Sequence, residues 1–198
     1  MREVELKAAV SDPAAAIAAL RAGGAEPVYA GRLEDRRYDT ADRSLAIKDH
    51  VLRLRVYRRD GVETNAALDF KGPTTYAGGY KVREEHSVRA GGADELACIL
   101  ELLGYVVTRE IDREIEQFTI SGATVRFERY PRMDVLVEVE GEPAAIEHAI
   151  AVMRLARETF TTGRLPDFVR AYEERTGDRA AICDRELTGD YRYATADA

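Results

Sequence analysis

The run Glu3-Val4-Glu5-Leu6-Lys7 alternates charged and aliphatic side chains near the start of the chain. A period of two residues is typical of a β-strand, because successive side chains point to opposite faces of the sheet. One face of this strand would be aliphatic, and the other would carry two carboxylates and one ammonium group. A charged strand face is unusual, so its recurrence farther along the chain decides what kind of sheet forms.

The other predicted strands repeat this division between an aliphatic and a charged face. If the aliphatic faces pack on helices, the charged faces must point to solvent or to a wet interior, and an even number of strands could close around such an interior. The alternative is an open sheet whose charged faces are solvated and paired across strands. The charged positions are Arg53 and Arg55, Asp69 and Lys71, Lys81 with Arg83 and Glu85, Arg109 and Arg113, Arg126 and Glu128, and Glu138 and Glu140.

Turn and capping signals divide the chain into strands and helices. Pro13 and the pair Gly23-Gly24 bound a first helix, and Asp94 and Gly104 bound a second one. We expect strands at 1–10, 106–115, 117–130 and 134–141, several more between 29 and 88, and helices at 14–21, 94–103, 143–159 and 167–175. The pattern predicts an α+β fold with one domain over residues 1–179 and a partly ordered C-terminal tail over residues 180–198.

Composition and charge exclude several classes of protein. A chain of 198 residues has the usual size of one domain, and its formal net charge of -7 argues against a protein that coats nucleic acid. Cys98 and Cys183 are too few for a disulfide framework or a zinc site, which favours a reducing compartment. No apolar run approaches the roughly 20 residues that span a bilayer, and the charged N-terminus does not resemble a signal peptide. We therefore expect a cytoplasmic protein with neither nucleic acid nor membrane as its partner.

An enclosed charged interior would require a polar ligand. Unpaired buried charges cost several kcal/mol each, so an interior rich in arginine, lysine and carboxylates should not stay dry. Arginine binds phosphate oxygens in pairs, and clustered carboxylates suit Mg²⁺ or Mn²⁺, which are hard ions that prefer oxygen ligands. The residues therefore favour a metal-bound polyphosphate as the ligand.

Glu3, Glu5 and Lys7 also match the Glu-x-Glu-x-Lys signature of the CYTH, or triphosphate tunnel metalloenzyme, superfamily. The resemblance extends from residue 3 to about residue 160, and its motifs occur in the order typical of that family. The further matching stretches are Tyr38-Asp39-Thr40, Leu52-Arg53-Leu54-Arg55, Phe70-Lys71-Gly72-Pro73, Arg83-Glu84-Glu85 and Val137-Glu138-Val139-Glu140.

This resemblance implies a closed eight-stranded antiparallel β-barrel, the triphosphate tunnel, with flanking helices. It implies that carboxylates bind one or two Mg²⁺ or Mn²⁺ ions and that basic residues bind the triphosphate. The expected metal ligands are Glu3, Glu5, Glu128, Glu138 and Glu140, and Glu5, Lys7, Arg55 and Lys71 are the expected catalytic residues. The expected substrate-binding residues are Lys7, Arg53, Arg55, Lys71, Lys81, Arg83, Arg109, Arg113 and Arg126.

One stretch departs from the family pattern. Ile111-Asp112-Arg113 stands where a Lys-x-Arg pair is common. Arg109 and Arg113 share a strand face, so we expect Arg109 to replace the missing lysine.

The motifs leave the reaction open. The motif Glu-Val-Glu-Leu-Lys is similar to that of class IV adenylyl cyclases, which convert ATP to cyclic AMP and pyrophosphate. We lean towards that branch. Triphosphatases acting on inorganic tripolyphosphate, thiamine triphosphate or nucleoside triphosphates share the basic residues and are the alternative. A non-catalytic sensor of a nucleotide or polyphosphate is a third reading, and the retained carboxylates count against it. A homodimer is compatible with the sequence, which does not decide the oligomeric state.

Other polar and aromatic residues have simpler explanations. Asp39 could serve the ligand or could form a turn by binding backbone amides near it. His50, His86 and His148 have no spacing that indicates a metal site. Tyr57, Tyr76 and Tyr80 could stack on a base near a mouth of the tunnel, although aromatic residues on strands usually pack.

Overall fold

Nine antiparallel strands form one sheet in the computed structural model, which describes residues 2–189. Eight of them follow one another in the order β1-β9-β8-β7-β2-β3-β4-β6, and β1 also pairs with β6, so these eight close into a ring. The short β5 adds to the edge of β6. The strands are β1 (Arg2–Ala9), β2 (Glu26–Asp39), β3 (Val51–Arg59), β4 (Val62–Lys71), β5 (Thr75–Ala77), β6 (Tyr80–Ala90), β7 (Val106–Ile120), β8 (Ala123–Arg129) and β9 (Leu136–Glu140).

Five α-helices lie among the described residues and cover parts of the ring. They are α1 (Pro13–Ala22), α2 (Ala93–Leu102), α3 (Pro143–Met153), α4 (Leu165–Thr176) and α5 (Asp184–Thr188), with 3-10 turns at Ala46–Lys48 and Arg157–Thr159. The expected α+β class, with antiparallel strands in a ring and flanking helices, is confirmed. None of the helices among residues 2–189 has the length and apolar character needed to cross a membrane.

The aliphatic strand faces pack outward against the helices. Leu6 of β1 and Val139 of β9 join one buried cluster with Leu20 of α1 and Ile146 of α3. A second outward cluster joins β3 to α2. A third cluster joins α4 to Ile111 and Leu136, which by strand alternation lie on the inward face with Arg113 and Glu138. Burying each of these aliphatic side chains contributes about 1.5 to 3 kcal/mol. Because the outward faces hold most of the core, the inward faces are left largely to the charged residues.

The division between β7 and β8 differs from the prediction. The expected break near residue 116 is wrong, because β7 continues without interruption to Ile120. The turn falls instead at Ser121 and Gly122, whose φ angles are 48° and 84°. Glycine adopts that left-handed region without steric cost, so this pair is the natural turn, whereas Glu116 and Gln117 carry no turn signal.

Two helix ends also differ from the prediction. Asp94 does not cap α2, because the helix begins at Ala93 and the residue before it is Gly92. The expected helix over residues 143–159 ends at Met153, where Arg154 adopts a left-handed φ of 59°. A left-handed residue ends a helix by turning the chain away from its axis.

The segment from residue 180 lies along the edge of β7, just beyond the point at Glu114 where the pairing with β8 stops. The amide of Asp112 donates to the carbonyl of Ile182 at 2.8 Å, and the amide of Asp184 donates to Asp112 Oδ2 at 3.1 Å. Asp112 Oδ1 also accepts from Arg36 at 2.7 Å. Residues 190–198 of the expected tail lie outside the described residues, and the proposed boundary at residue 180 stays a prediction.

Candidate functional site

Two neighbouring cavities occupy the interior of the ring. The first, which we name the α4 cavity, measures about 180 Å³, contains Glu5 and Lys7 in its lining and is bordered by Leu165 at the start of α4. The second, which we name the Tyr57 cavity, measures about 520 Å³ and contains Tyr57 and Glu140 in its lining. Arg53, Lys71 and Arg126 line both cavities and form the boundary between them.

Every predicted site residue lines one of these cavities. Glu3, Arg55 and Glu140 lie in the Tyr57 cavity, and the others line the α4 cavity or the boundary. Arg109 and Glu128 are each only 1% exposed, which contradicts the alternative of an open sheet with solvated charged faces. The predicted site residues therefore share one ionic interior. The role of each residue in catalysis or binding stays a prediction.

Ion pairs neutralise most of the predicted carboxylates. Glu138 Oε2 lies 2.7 Å from Lys7 Nζ, and Glu138 also binds Arg126. Glu128 Oε1 accepts from Arg113 Nε at 2.9 Å. In the same way, Lys71 binds Glu3 and Lys81 binds Glu5. The predicted metal ligands and the predicted phosphate ligands are therefore each other's partners here.

The charges around Glu128 show how strongly the interior favours ionised carboxylates. Burial opposes its ionisation, but Lys7 and Arg113 beside it lower the pKa of Glu128 to about 2. Its second oxygen accepts from the hydroxyl of Tyr130 at 2.8 Å, and burial together with Glu128 raises the pKa of that phenol well above its ordinary value. Glu128 is thus negatively charged at neutral pH and Tyr130 is a neutral donor.

Glu140 is the predicted carboxylate with excess negative charge around it. It is the Cα partner of Glu5 in the pairing of β1 with β9, so two like charges face each other across the strands. Burial and the carboxylates of Glu138 and Glu3 raise the pKa of Glu140 to about 7. In addition, Glu3 Oε2 is buried without a hydrogen-bond partner. These oxygens fit a hard divalent cation, because such a cation would supply the positive charge and the oxygen contacts they lack.

The carboxylates do not yet form a cage for an ion. Within residues 2–189, no group of three or more histidine, cysteine, aspartate or glutamate side chains is arranged to hold a metal ion. Lys7, Lys71 and Lys81 instead pair with Glu138, Glu3 and Glu5. A phosphate ligand that attracted these lysines would release the carboxylates for a cation.

Asp35 is the central charged residue that the sequence did not reveal. It is 1% exposed, and its carboxylate contacts Arg53 at 3.4 Å, Arg55 at 3.3 Å and Arg113 at 3.1 Å. Burial opposes the charge, but these guanidinium groups hold the pKa of Asp35 well below its usual range. The run from Glu34 to Arg37 is charged on both faces of the strand, so alternation gave no signal for it.

Asp39 forms a turn, as one of the two interpretations predicted. Its Oδ1 accepts from the amides of Thr40 at 2.7 Å and Leu45 at 2.9 Å, and its Oδ2 accepts from the amide of Ala46 at 2.9 Å. Both oxygens therefore hold the loop that follows β2 and borders the α4 cavity.

Known families and folds agree with this geometry. The CYTH domain family model matches residues 1–159, which is most of the chain. The chain belongs to the CYTH domain family. No curated protein matches the chain in sequence.

Solved structures of similar fold include proteins described with two different activities. PH1819 from Pyrococcus horikoshii is 24% identical, with a TM-score of 0.67 over 82% of this chain and 94% of that one. A candidate adenylate cyclase from Vibrio parahaemolyticus is 19% identical, with a TM-score of 0.71 over 85% and 97%. HpAC1 from Hippeastrum, a candidate adenylyl cyclase described as having a dominant triphosphatase activity, is 13% identical, with a TM-score of 0.54 over 96% and 97%. At these identities the likeness shows the fold alone, so CYTH membership does not fix the reaction.

Proposed function

We propose that this chain is a divalent-metal-dependent enzyme that processes a triphosphate inside the ring. The observation that carries the proposal is the pairing of basic and acidic side chains throughout the interior. Within residues 2–189, Glu140 forms no ion pair, and one oxygen of Glu3 has no hydrogen-bond partner. A metal-bound triphosphate supplies both missing components, because its phosphates neutralise the basic residues and its metal neutralises the carboxylates. A binder of phosphate alone would leave the carboxylates in excess.

The residues divide into two groups by the chemistry of their side chains. The basic residues of the boundary, Arg53, Lys71 and Arg126, would hold the middle of the triphosphate because they line both cavities. The carboxylates would hold Mg²⁺ or Mn²⁺, which neutralises charge on the phosphate oxygens when bound. The proposed metal ligands remain Glu3, Glu5, Glu128, Glu138 and Glu140.

No protein nucleophile is needed for either reaction that this site could perform. Phosphoryl transfer is accelerated mainly by positioning and by neutralising charge, both of which a rigid ring of fixed charges provides. In a cyclase, the 3′-hydroxyl of ATP attacks the α-phosphate and expels pyrophosphate. In a triphosphatase, water attacks the terminal phosphate and releases orthophosphate.

We propose ATP cyclisation first and triphosphate hydrolysis as the second candidate. The sequence of residues 3 to 7 supports cyclisation. The Tyr57 cavity also contributes two polar uncharged side chains that suit a nucleoside, Gln117 and Thr124. Hydrolysis is supported by the fold shared with HpAC1, whose described dominant activity is that of a triphosphatase. Both candidates use the same interior.

The deciding experiment identifies the product. The purified chain is incubated with Mg²⁺ or Mn²⁺ and, separately, with ATP, tripolyphosphate and thiamine triphosphate, and cyclic AMP, pyrophosphate and orthophosphate are measured. Cyclic AMP with pyrophosphate supports cyclisation, and orthophosphate supports hydrolysis. Tight binding without turnover would indicate a non-catalytic sensor instead of an enzyme. The absence of any triphosphate binding would overturn the whole proposal.

Two substitutions test the division of roles. Glu5→Gln should abolish metal-dependent turnover, because it removes a charged metal ligand. Arg55→Ala should weaken triphosphate binding by removing one charged donor, worth about 1.5 to 3 kcal/mol. Arg2→Gln is the matched control, because Arg2 is exposed and lies on the opposite face of β1 from Glu3. Full turnover in Glu5→Gln would contradict the assigned role.

A further inference from the structure

Arg37 lies in a row of three arginines across the ring interior. Its Cα partners are Arg53 on β3 and Arg109 on β7, so the three side chains share one face of adjacent strands. Neighbouring strands lie about 4.8 Å apart, which brings three positive charges within roughly 10 Å. Like charges directly across strands destabilise a sheet. Arg53 is compensated by Asp35 at 3.4 Å and by Asp69 at 2.7 Å, so the question of an anion concerns Arg37.

The carboxylates nearest to Arg37 along β2 are occupied by other groups. Asp35 is held by three other guanidinium groups, and both oxygens of Asp39 accept backbone amides of the following loop. Arg37 Nε is buried without a hydrogen-bond partner, and none of the ion pairs among residues 2–189 includes this guanidinium. Burial and the charge of Arg53 lower the pKa of Arg37 to about 10, although the charge of Asp35 opposes part of this shift. Its charge is therefore poorly compensated by the protein itself.

We propose that Arg37 binds the terminal phosphoryl group of the triphosphate, an assignment that rests on the proposed function. Arg37 lines the α4 cavity and Tyr57 lines the other cavity, with Arg53, Lys71 and Arg126 between them. The phosphate chain then runs from the boundary residues towards Arg37, and any organic group extends towards Tyr57. A guanidinium group at the end of the chain can donate to two oxygens of the terminal phosphate.

Binding of tripolyphosphate in the presence of Mg²⁺ tests this assignment directly. Arg37→Gln should weaken the affinity measured by titration calorimetry about tenfold to a hundredfold, the loss expected for a hydrogen bond between charged groups. Arg37→Lys keeps the charge without the planar pair of donors and should recover part of the affinity. Arg2→Gln removes an equal charge from an exposed position and should bind as the unaltered chain does.

The melting temperature without ligand separates binding from a structural role. An arginine that stabilised the fold through protein contacts would lower the melting temperature when replaced. Because Arg37 lies among like charges without a carboxylate partner, Arg37→Gln should melt at the same temperature as the unaltered chain or higher. A lower melting temperature would show a structural role and overturn the assignment.

The binding results distinguish a failure of the Arg37 assignment from a failure of the proposed function. If the unaltered chain binds tripolyphosphate and Arg37→Gln binds it within twofold, the role of Arg37 is wrong and the proposed function stands. If the unaltered chain binds neither tripolyphosphate nor ATP with either metal, the proposed function fails and the assignment of Arg37 falls with it.

Discussion

Replacing Asp35 with asparagine should strongly destabilise the fold. Asp35 is almost fully buried and contacts the guanidinium groups of Arg53, Arg55 and Arg113 at 3.1 to 3.4 Å. Asparagine keeps the shape but removes the charge, which leaves three positive groups without their shared partner. Removing one partner of a buried ion pair costs about 3 to 5 kcal/mol. For a chain of this size, that loss lowers the melting temperature by roughly 6 to 20 °C.

The effect should be measured by urea unfolding at pH 7 with the ligand-free chain. A carboxylate whose pKa is lowered by folding contributes its full stability above its unfolded pKa of about 3.9 and loses it as the pH falls towards the folded value. At pH 7 the whole difference is therefore present. Asp178→Asn, at an exposed position, is the control and should change the free energy of unfolding by less than about 0.5 kcal/mol. A loss below about 1 kcal/mol in Asp35→Asn would refute the view that Asp35 holds the arginines together.

Two further predictions concern Glu140 and the cysteines. At pH 8, Glu140→Gln should raise the melting temperature of the metal-free chain, because burial and the neighbouring carboxylates destabilise the ionised form of Glu140. The same substitution should reduce the stabilisation by Mg²⁺. A lower melting temperature of the metal-free variant would contradict this prediction. With a thiol reagent at pH 8, Cys98 should react rapidly because it is exposed, whereas Cys183 should react only after unfolding. Burial raises the pKa of the Cys183 thiol to about 11, so this thiol should react slowly. Cys98→Ser should therefore remove all rapid labelling. Rapid labelling of Cys183 in that variant would refute the packing at this residue.

The closed ring and its charged interior followed from the sequence to a large extent. Alternation in residues 3 to 7 and in the runs around Arg53 and Glu138 assigned side chains to the interior, and the structure places all of them there. The expected break near residue 116 was wrong because a long strand with no turn residues cannot be divided by periodicity alone. The Ser121-Gly122 pair carries a local turn signal, and β7 and β8 pair on either side of it.

The sequence by itself determined which face is charged in the strands that alternate, because the direction of a side chain in a strand depends only on its position along that strand. In β2, which is charged on both faces, it did not. The partners of those charges were decided by tertiary structure. Closure of β1 onto β6 brings Lys81 to Glu5, and the meeting of β2, β3 and β7 gathers three arginines around Asp35. Within residues 2–189, Arg37 is left outside any ion pair, and its Nε has no hydrogen-bond partner. These residues are far apart in the chain, and ion pairing depends on distance in space, so only the folded ring could show which charges are neutralised and which remain for a ligand.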